Sequence, residues 1–313
     1  MKKYINSQHR YYTLDFYLKE KFNKKVFKVA LNGDFSCPNR DGTISTKGCS
    51  FCSDCGSGEF SGNKRLSIKE QFEEISKNIH KKWPDAYYIP YFQANTNTYG
   101  PINKLRDIYY QAINVHKNVV ALSIATRPDT ISDETLQLLN EINQKTPVWV
   151  ELGLQTIHEK TAKAFNRGYN LDVFLTSVKA LRNEKISVIV HIINGLPNET
   201  KDMMLETVEF LNTLDIQGLK IHNLFLLKNT ALGNEFLKNP FKILSFEEYV
   251  DITTDQLAHL NPNIVIHRIN GDPKKEDLIE PKWCLKKLVV MNEIDKTMKQ
   301  KNYYQGCLTK KVT

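Results

Sequence analysis

The sequence predicts an α/β fold, a partial barrel of six strand–helix units with a helical C-terminal extension. Two patterns predict it. Short runs of apolar, β-branched or aromatic residues recur along the 313-residue chain, at 26–31, 87–92, 119–124, 148–152, 187–193 and 219–227. Several are apolar throughout, as parallel strands covered on both faces require. Helical patterns lie between them. Ile68, Phe72, Ile75 and Ile79 repeat at spacings of four, three and four, which makes one helical face. Ser132 stands ahead of Leu136, Leu139 and Ile142, where it can cap their helix. Met204, Val208 and Leu211 mark a third helix after Pro197-Asn198-Glu199-Thr200. Strand-then-helix repeats imply a parallel sheet with right-handed crossovers. Six units fall short of the eight that close a TIM-type (β/α)8 barrel, so an open (β/α)6 barrel is expected.

Past residue 245 the rhythm changes. A helix over 249–260, a short strand at 264–266 and a polar loop come first, then a helix bearing Leu288, Met291, Ile294 and Met298. The expected division is a barrel over 1–245 and an extension over 246–313 that covers its open side.

Composition narrows the function classes. No apolar run reaches the roughly 18 residues that a membrane-spanning helix needs. Met1-Lys2-Lys3-Tyr4-Ile5-Asn6 shows no apolar core followed by a small-residue cleavage site, so no export signal is read there. Six cysteines in a chain of this length are too few for a disulfide scaffold, and free thiols indicate a reducing, cytoplasmic setting. Net charge is +8. Basic pairs recur at Lys24-Lys25, Lys81-Lys82, Lys274-Lys275, Lys286-Lys287 and Lys310-Lys311, with aromatic pairs at Tyr11-Tyr12, Tyr87-Tyr88 and Tyr303-Tyr304 among them. Basic charge attracts phosphate backbones and aromatics stack on unpaired bases, so nucleic acid is a candidate partner.

Three cysteines carry the strongest signal. Cys37, Cys49 and Cys52 are spaced C-x11-C-x2-C, just past the first strand, in a loop running over 33–65. Three thiolates can hold three irons of a cubane and leave the fourth open to a small-molecule chelate. Cys55 extends the spacing by another x2, and four thiolates would close a tetrahedral zinc site. Position separates the two. Barrel enzymes carry their chemistry at the C-terminal ends of the strands, where this loop falls, whereas a zinc clip can sit anywhere. The other strand ends are polar too. They bear Gln93-Ala94-Asn95-Thr96-Asn97-Thr98, then Thr126-Arg127-Pro128-Asp129, then Glu151 with Gln155, then His191 ahead of Asn194-Gly195, and finally Lys220 with His222. His191, His222 and Tyr99 are the candidates for proton transfer.

Phe35-Ser36-Cys37-Pro38-Asn39-Arg40-Asp41-Gly42 and Gly48-Cys49-Ser50-Phe51-Cys52 resemble the cluster segment of radical S-adenosylmethionine (SAM) enzymes, with an aromatic residue before the last cysteine. Ser123-Ile124-Ala125-Thr126-Arg127-Pro128-Asp129, Glu151-Leu152-Gly153-Leu154-Gln155 and Gly195-Leu196-Pro197-Asn198-Glu199-Thr200 extend the likeness to the relatives of the elongator catalytic subunit. More closely, the chain resembles the small bacterial YhcC/YtqA-type family over nearly its whole length, through to Gly271-Asp272-Pro273 and Gln305-Gly306. The resemblance implies a [4Fe–4S] cluster on Cys37, Cys49 and Cys52, and reductive cleavage of SAM to a 5′-deoxyadenosyl radical. It implies that Asn95, Thr96, Asn97 and Thr98 hold the amino-acid end of SAM. Phe51 and the turn from Gly195 to Glu199 would lie near its adenosine and Glu151 near its ribose, with Arg127 and Gln155 also lining the cofactor site. Cys55 departs from the family pattern and is expected to be a loop thiol. The implied substrate is tRNA, with a wobble-uridine 5-carboxymethylaminomethyl group converted to 5-aminomethyl. The implied partners are a flavodoxin- or ferredoxin-type reductant and a downstream tRNA methyltransferase. The alternatives are a radical SAM enzyme acting on a small metabolite or peptide, and a zinc-clipped nucleic-acid-binding protein. Cys284 and Cys307 lack CxxC partners, which argues against a second cluster.

Overall fold

The computed structural model describes Ile5 and residues 9–309; the Lys310-Lys311 pair and the rest of the Met1 to Asn6 segment lie outside the described residues. Along the chain come α1 (Leu14–Phe22), β1 (Val26–Leu31), α2 (Ile68–Lys82), β2 (Tyr87–Phe92), α3 (Ile102–Asn114) and β3 (Leu122–Thr126). Then follow α4 (Asp133–Asn143), β4 (Val148–Gln155), α5 (Glu159–Ala164), α6 (Leu171–Asn183), β5 (Ser187–Asn194) and α7 (Lys201–Leu211). The last third holds β6 (Gly218–Asn223), β7 (Leu226–Leu227), α8 (Ala231–Lys238), α9 (Phe246–His259), β8 (Val265–Arg268), β9 (Leu278–Glu280) and α10 (Lys287–Gln300). Local chemistry starts the helices. Ser67 and Glu70 close a capping box on α2, Ser245 and Glu248 another on α9, and Ser132 accepts from Thr135 N at the head of α4 as its sequence position predicts.

The main sheet is parallel, in the order β1-β2-β3-β4-β5-β6-β8. Each of its first six strands matches an expected run, and the sheet curls into an open barrel with no closure between β8 and β1. Three details differ from the sequence reading. The third strand starts at Leu122, because Val119 forms only an isolated bridge to Tyr88. The 219–227 run is two strands, since the chain turns after Asn223 and Leu226–Leu227 pairs antiparallel with β9. The short run at 264–266 becomes the seventh strand, pairing Gly218 with Val265 and Leu219 with Ile266. The barrel sheet therefore continues beyond residue 245.

The strands are two-faced, which their apolar content conceals. On β4, Val148, Val150, Leu152 and Leu154 pack outward in the main core, while Trp149, Glu151, Gly153 and Gln155 alternate inward. Likewise Val29 and Leu31 face the helices and Lys28 the interior, Leu122 and Ile124 the helices and Ser123 the interior, Leu219 and Ile221 the helices and Lys220 and His222 the interior. The outer core is Leu105, Tyr109, Leu138, Leu139, Phe174, Leu181, Val208 and Leu211 against those strands. Each such buried side chain contributes about 1.5–3 kcal/mol. Lower in the barrel, Leu18 of α1 packs with Ile89, Ala121, Trp149 and Ile189 as a small apolar plug. The polar interior lies above it.

The two ends of the described chain are tied together. Gln305, 1% exposed, accepts from Tyr12 N at 2.8 Å and donates through Nε2 to the carbonyls of Asn261 and Ile264. Its own backbone N–H reaches Arg10 O, and Ile266 N reaches Tyr12 O at 2.7 Å. This clasp holds the N-terminal segment beside β8.

Candidate active site

The loop from β1 to α2 lies over the C-terminal ends of the strands, and specific contacts shape it. Asn39, fully buried, donates to Asn166 O at 2.7 Å, and Asn166 returns a bond to Gly48 O. Ser50 N reaches Phe165 O and Leu232 N reaches Ser50 O, while the Phe51 and Phe165 rings stand 5.3 Å apart. Arg40 spans the loop to the carbonyls of Cys52, Ser53 and Asp54. Gly56 (φ +59°) permits the closest approach: a Cβ there would meet Asn95 Oδ1 at 2.0 Å, and Asn95 N donates to Gly56 O.

These contacts aim Cys37, Cys49 and Cys52 into one cavity of about 250 Å³ at the barrel mouth. Burial pushes the Cys49 thiol up and that of Cys52 up to about 12; Cys37 adds repulsion to both, and Cys49 adds it to Cys52. Arg40 and Arg127 pull the other way, and Asn39 Nδ2 lies 3.6 Å from Cys49 Sγ. Three half-buried thiols facing one space are poorly placed as free thiolates and well placed as ligands of a positively charged iron centre. The donor set fits a cubane. Cys55 is exposed and stands outside the cavity lining.

Beneath the thiols is a charged floor. The Glu151 carboxylate is wholly buried and takes four partners: Lys28 Nζ and Ser123 Oγ (2.6 Å) on Oε1, Lys220 Nζ and His191 Nε2 (2.8 Å) on Oε2. Burial would raise its pKa, but the two lysines hold it well below the usual carboxylate range. Lys220 is driven down to about 7 by burial, with Lys28 and Arg268 adding repulsion. His191 falls to about 4 for the same first reason, so it is neutral and donates Nε2–H to the carboxylate. Its ring stands 5.3 Å from that of His222, whose Nε2 is buried with no partner among the described residues.

Of the other residues singled out from sequence, Phe51, Asn95, Thr96, Arg127 and Gln155 line this cavity along with Glu151, His191 and His222. Arg127 is gripped by Asp129 at two points and stacks on Tyr169 at 4.8 Å. Gln155 ends β4 at a bulge with φ +62°. Gly153 makes room for it, since a Cβ there would meet Gln155 Nε2 at 2.5 Å. Five residues are placed elsewhere. Asn97 Nδ2 is turned back to Phe92 O and Ala125 O, and Thr98 bonds Thr126 and Thr130. Tyr99 OH pairs with Thr43 in a separate groove. Gly195 (φ +86°) shapes the turn after β5, and Glu199 lies near Thr156 and Thr161 with a carboxyl raised by burial. None of these five contributes to the cavity wall.

Lys28, Tyr91, Arg167, Tyr169 and Arg268 were not picked out from the sequence. Arg167, 1% exposed, ties Leu154 O, Thr156 O and Tyr169 O to Glu159, and so fixes the Gln155 bulge. The available signal was strand alternation: Lys28 is the one charge within 26–31, on the face that Ser123 and Glu151 share.

A half-barrel with three thiols at its strand mouths and a polar interior defines a class of cluster-dependent barrel enzymes. The comparisons agree. Residues 42–211 match the radical SAM superfamily and residues 216–300 the radical SAM C-terminal domain. Over 303 residues the chain is 46% identical to the protein YtqA of Bacillus subtilis, covering 97% of this chain and 94% of YtqA. It is 26% identical over 136 residues to a tRNA uridine(34) acetyltransferase of Methanocaldococcus infernus, 42% of this chain and 25% of that protein. The structure of M. infernus Elp3 lacking its N-terminus superposes with a TM-score of 0.67 at 17% identity, covering 90% of this chain and 64% of that one. The chain belongs to the radical SAM superfamily. It is an enzyme of that class, whose members bind a [4Fe–4S] cluster and SAM.

Proposed function

We propose that this enzyme modifies the side chain of the tRNA wobble uridine, converting 5-carboxymethylaminomethyl to 5-aminomethyl. The two lost carbons leave as glyoxylate: the CH2 is oxidised at the expense of SAM, which ends as methionine and 5′-deoxyadenosine, and water supplies the new oxygen. Cys37, Cys49 and Cys52 would hold the cluster, and Asn95, Thr96, Arg127 and Gln155 would line the SAM site. When bound, the cluster and SAM supply a radical able to take hydrogen from an unactivated carbon. The protein's part is to position that carbon, exclude water and manage charge around it.

One observation carries the reading. A second cavity of about 430 Å³ opens on the unclosed side of the barrel, lined by Leu14, Phe60, Pro273 and Leu285, and it shares Tyr91, Gln93, Lys220, Arg268 and Asp272 with the first. A reacting group carried on a large polymer can enter sideways while the rest of the polymer stays outside. Phe60 and Leu285 are exposed apolar side chains at this opening, suited to an unstacked base. Exposed lysines at Lys81, Lys82, Lys275 and Lys286 suit a phosphate backbone. The partial likeness to a tRNA uridine(34) acetyltransferase supports the same substrate class. Among the described residues no helix is long and apolar enough to cross a membrane. The reading places the enzyme in the cytoplasm, with a flavodoxin- or ferredoxin-type electron donor and a tRNA methyltransferase acting next.

The test is anaerobic reconstitution with iron, sulfide, reductant and SAM, with tRNA from a strain lacking the gene. Release of 5′-deoxyadenosine should rise with that tRNA and not with fully modified tRNA, and mass spectrometry should show the aminomethyl product. SAM cleavage indifferent to the tRNA supplied would overturn the substrate.

A further inference from the structure

The floor of the site is out of charge balance. Glu151 pairs with Lys28 and Lys220, and Asp272 with Arg268 and Lys287. Lys287 reaches solvent, so it is left out of the sum. Three basic side chains, Lys28, Lys220 and Arg268, then face two carboxylates, and burial lowers both lysines, so the excess of positive charge is partial. Three histidines nearby leave the sum unchanged, because burial lowers His191, His222 and His267 and keeps them neutral. Neither Glu151 oxygen is open to a further cation, since each already carries two partners. Arg268 has one contact, a guanidinium nitrogen 3.3 Å from Asp272, leaving most of its planar fork of donors unused among the described residues. It lies opposite Lys220 in the β6–β8 register, and both side chains line both cavities. Lys220 adds one bond to Tyr91 OH at 3.2 Å. Lys220 is buried and Arg268 is 30% exposed at the junction of the cavities, so an anionic ligand entering there would meet the unused guanidinium donors beside a buried ammonium.

We infer that Arg268 and Lys220 form the receptor for a carboxylate carried by the substrate, Arg268 by a two-point fork and Lys220 by a single ammonium contact. This rests on the reading above for the identity of that carboxylate, the terminal group of the carboxymethylaminomethyl side chain. Holding it at the junction of the two cavities would present the adjoining CH2 toward the thiol end of the first. The methionine carboxylate of SAM is the other carboxylate in reach. The thiols lie beyond the end of β1, whereas Lys220 sits three residues below the end of β6, so the receptor belongs to the floor.

Isothermal titration of the reconstituted enzyme tests this with four probes: SAM, N-methylglycine, and the nucleosides 5-carboxymethylaminomethyluridine and 5-aminomethyluridine. Wild type should favour the carboxylate-bearing nucleoside by about ten-fold or more, the effect of one charge-assisted bond. Arg268→Gln should erase most of that preference, Arg268→Lys should restore part of it, and SAM affinity should stay within about two-fold in both. A thermal melt of each variant checks the fold. Equal binding of the two nucleosides by wild type would overturn the receptor. So would an Arg268→Gln variant that weakens SAM and keeps the preference. The two readings can fail separately. Arg268-dependent binding of N-methylglycine with tRNA left unconverted keeps the receptor and removes the tRNA substrate. Conversion of tRNA by Arg268→Gln at the wild-type rate keeps the substrate and removes the receptor.

Discussion

Replacing Glu151 with Gln keeps the side chain's shape and removes its charge. Lys28 and Lys220 would then face each other with no carboxylate between them, beside Arg268. Glu151 is fully buried, and the Lys220 and Lys28 side chains are only 7% and 19% exposed, so water screens little of the change. Breaking a buried ion pair from one side costs about 3–5 kcal/mol. Lys220 limits the loss. Its pKa is already down to about 7, and without Glu151 it falls further and releases its proton near neutral pH. The lower end, about 3 kcal/mol, is therefore expected at pH 7.5, and more at pH 6. At roughly 2–4 °C per kcal/mol, the melting temperature should drop on the order of 6–12 °C. The double variant Glu151→Gln/Lys220→Met removes one of the stranded charges and should recover about 1 kcal/mol or more relative to the single change. Denaturant titration and circular-dichroism melts of the cluster-free protein measure all of this. A single variant within about 1 kcal/mol of wild type, or a double variant no better than the single, would show that the floor is not held by this carboxylate.

Three further outcomes are expected. Changing Cys37, Cys49 or Cys52 to Ala should each abolish bound iron and sulfide and the visible absorption of the reconstituted protein, while Cys55→Ser should retain them; iron content after desalting decides it. Stability should fall as pH drops from about 6.5 toward 4. His191, His222 and His267 have lowered folded-state values, so over that interval the unfolded chain binds more protons than the native one. The slope is about 1.4 kcal/mol per pH unit for each such group, and His191→Gln should lower it; denaturant midpoints that are flat over this range would sink the assignment. Gly153→Ala should push Gln155 aside, since the new methyl would stand 2.5 Å from Nε2, and SAM affinity should fall about ten-fold with the melting temperature nearly unchanged. Calorimetric titration with SAM reads the first and a thermal melt the second.

Much of the architecture was legible because parallel strands announce themselves as apolar runs at regular intervals. The cysteine triplet was legible because its spacing is local. The strand at 264–266 was legible, but its place in the barrel sheet was hidden by distance. More than forty residues separate Leu219 from Ile266, and two helices, α8 and α9, fill the gap. The polar floor was hidden for another reason. Lys28, Glu151, Lys220 and Arg268 stand on four strands, and only the curl of the sheet brings them together. Asn97 and Thr98 show the opposite error. A run of amides and hydroxyls reads as one binding surface, yet Gln93, Asn95 and Thr96 line the cavity while Asn97 and Thr98 turn inward to satisfy buried backbone and hydroxyl groups.

The Gln305 clasp makes fastening of the barrel's open edge a long-range step in folding. The segment beside β8 needs both residues 10–13 and Gln305, and Tyr12 and Gln305 stand 293 positions apart along the chain. Closing a loop of that length is entropically unfavourable, so docking of the N-terminal segment should follow formation of the sheet rather than precede it. The same juxtaposition makes the described ends natural points to splice. A circular permutant joined there and reopened in an exposed loop would carry the clasp within one continuous segment and should close it sooner.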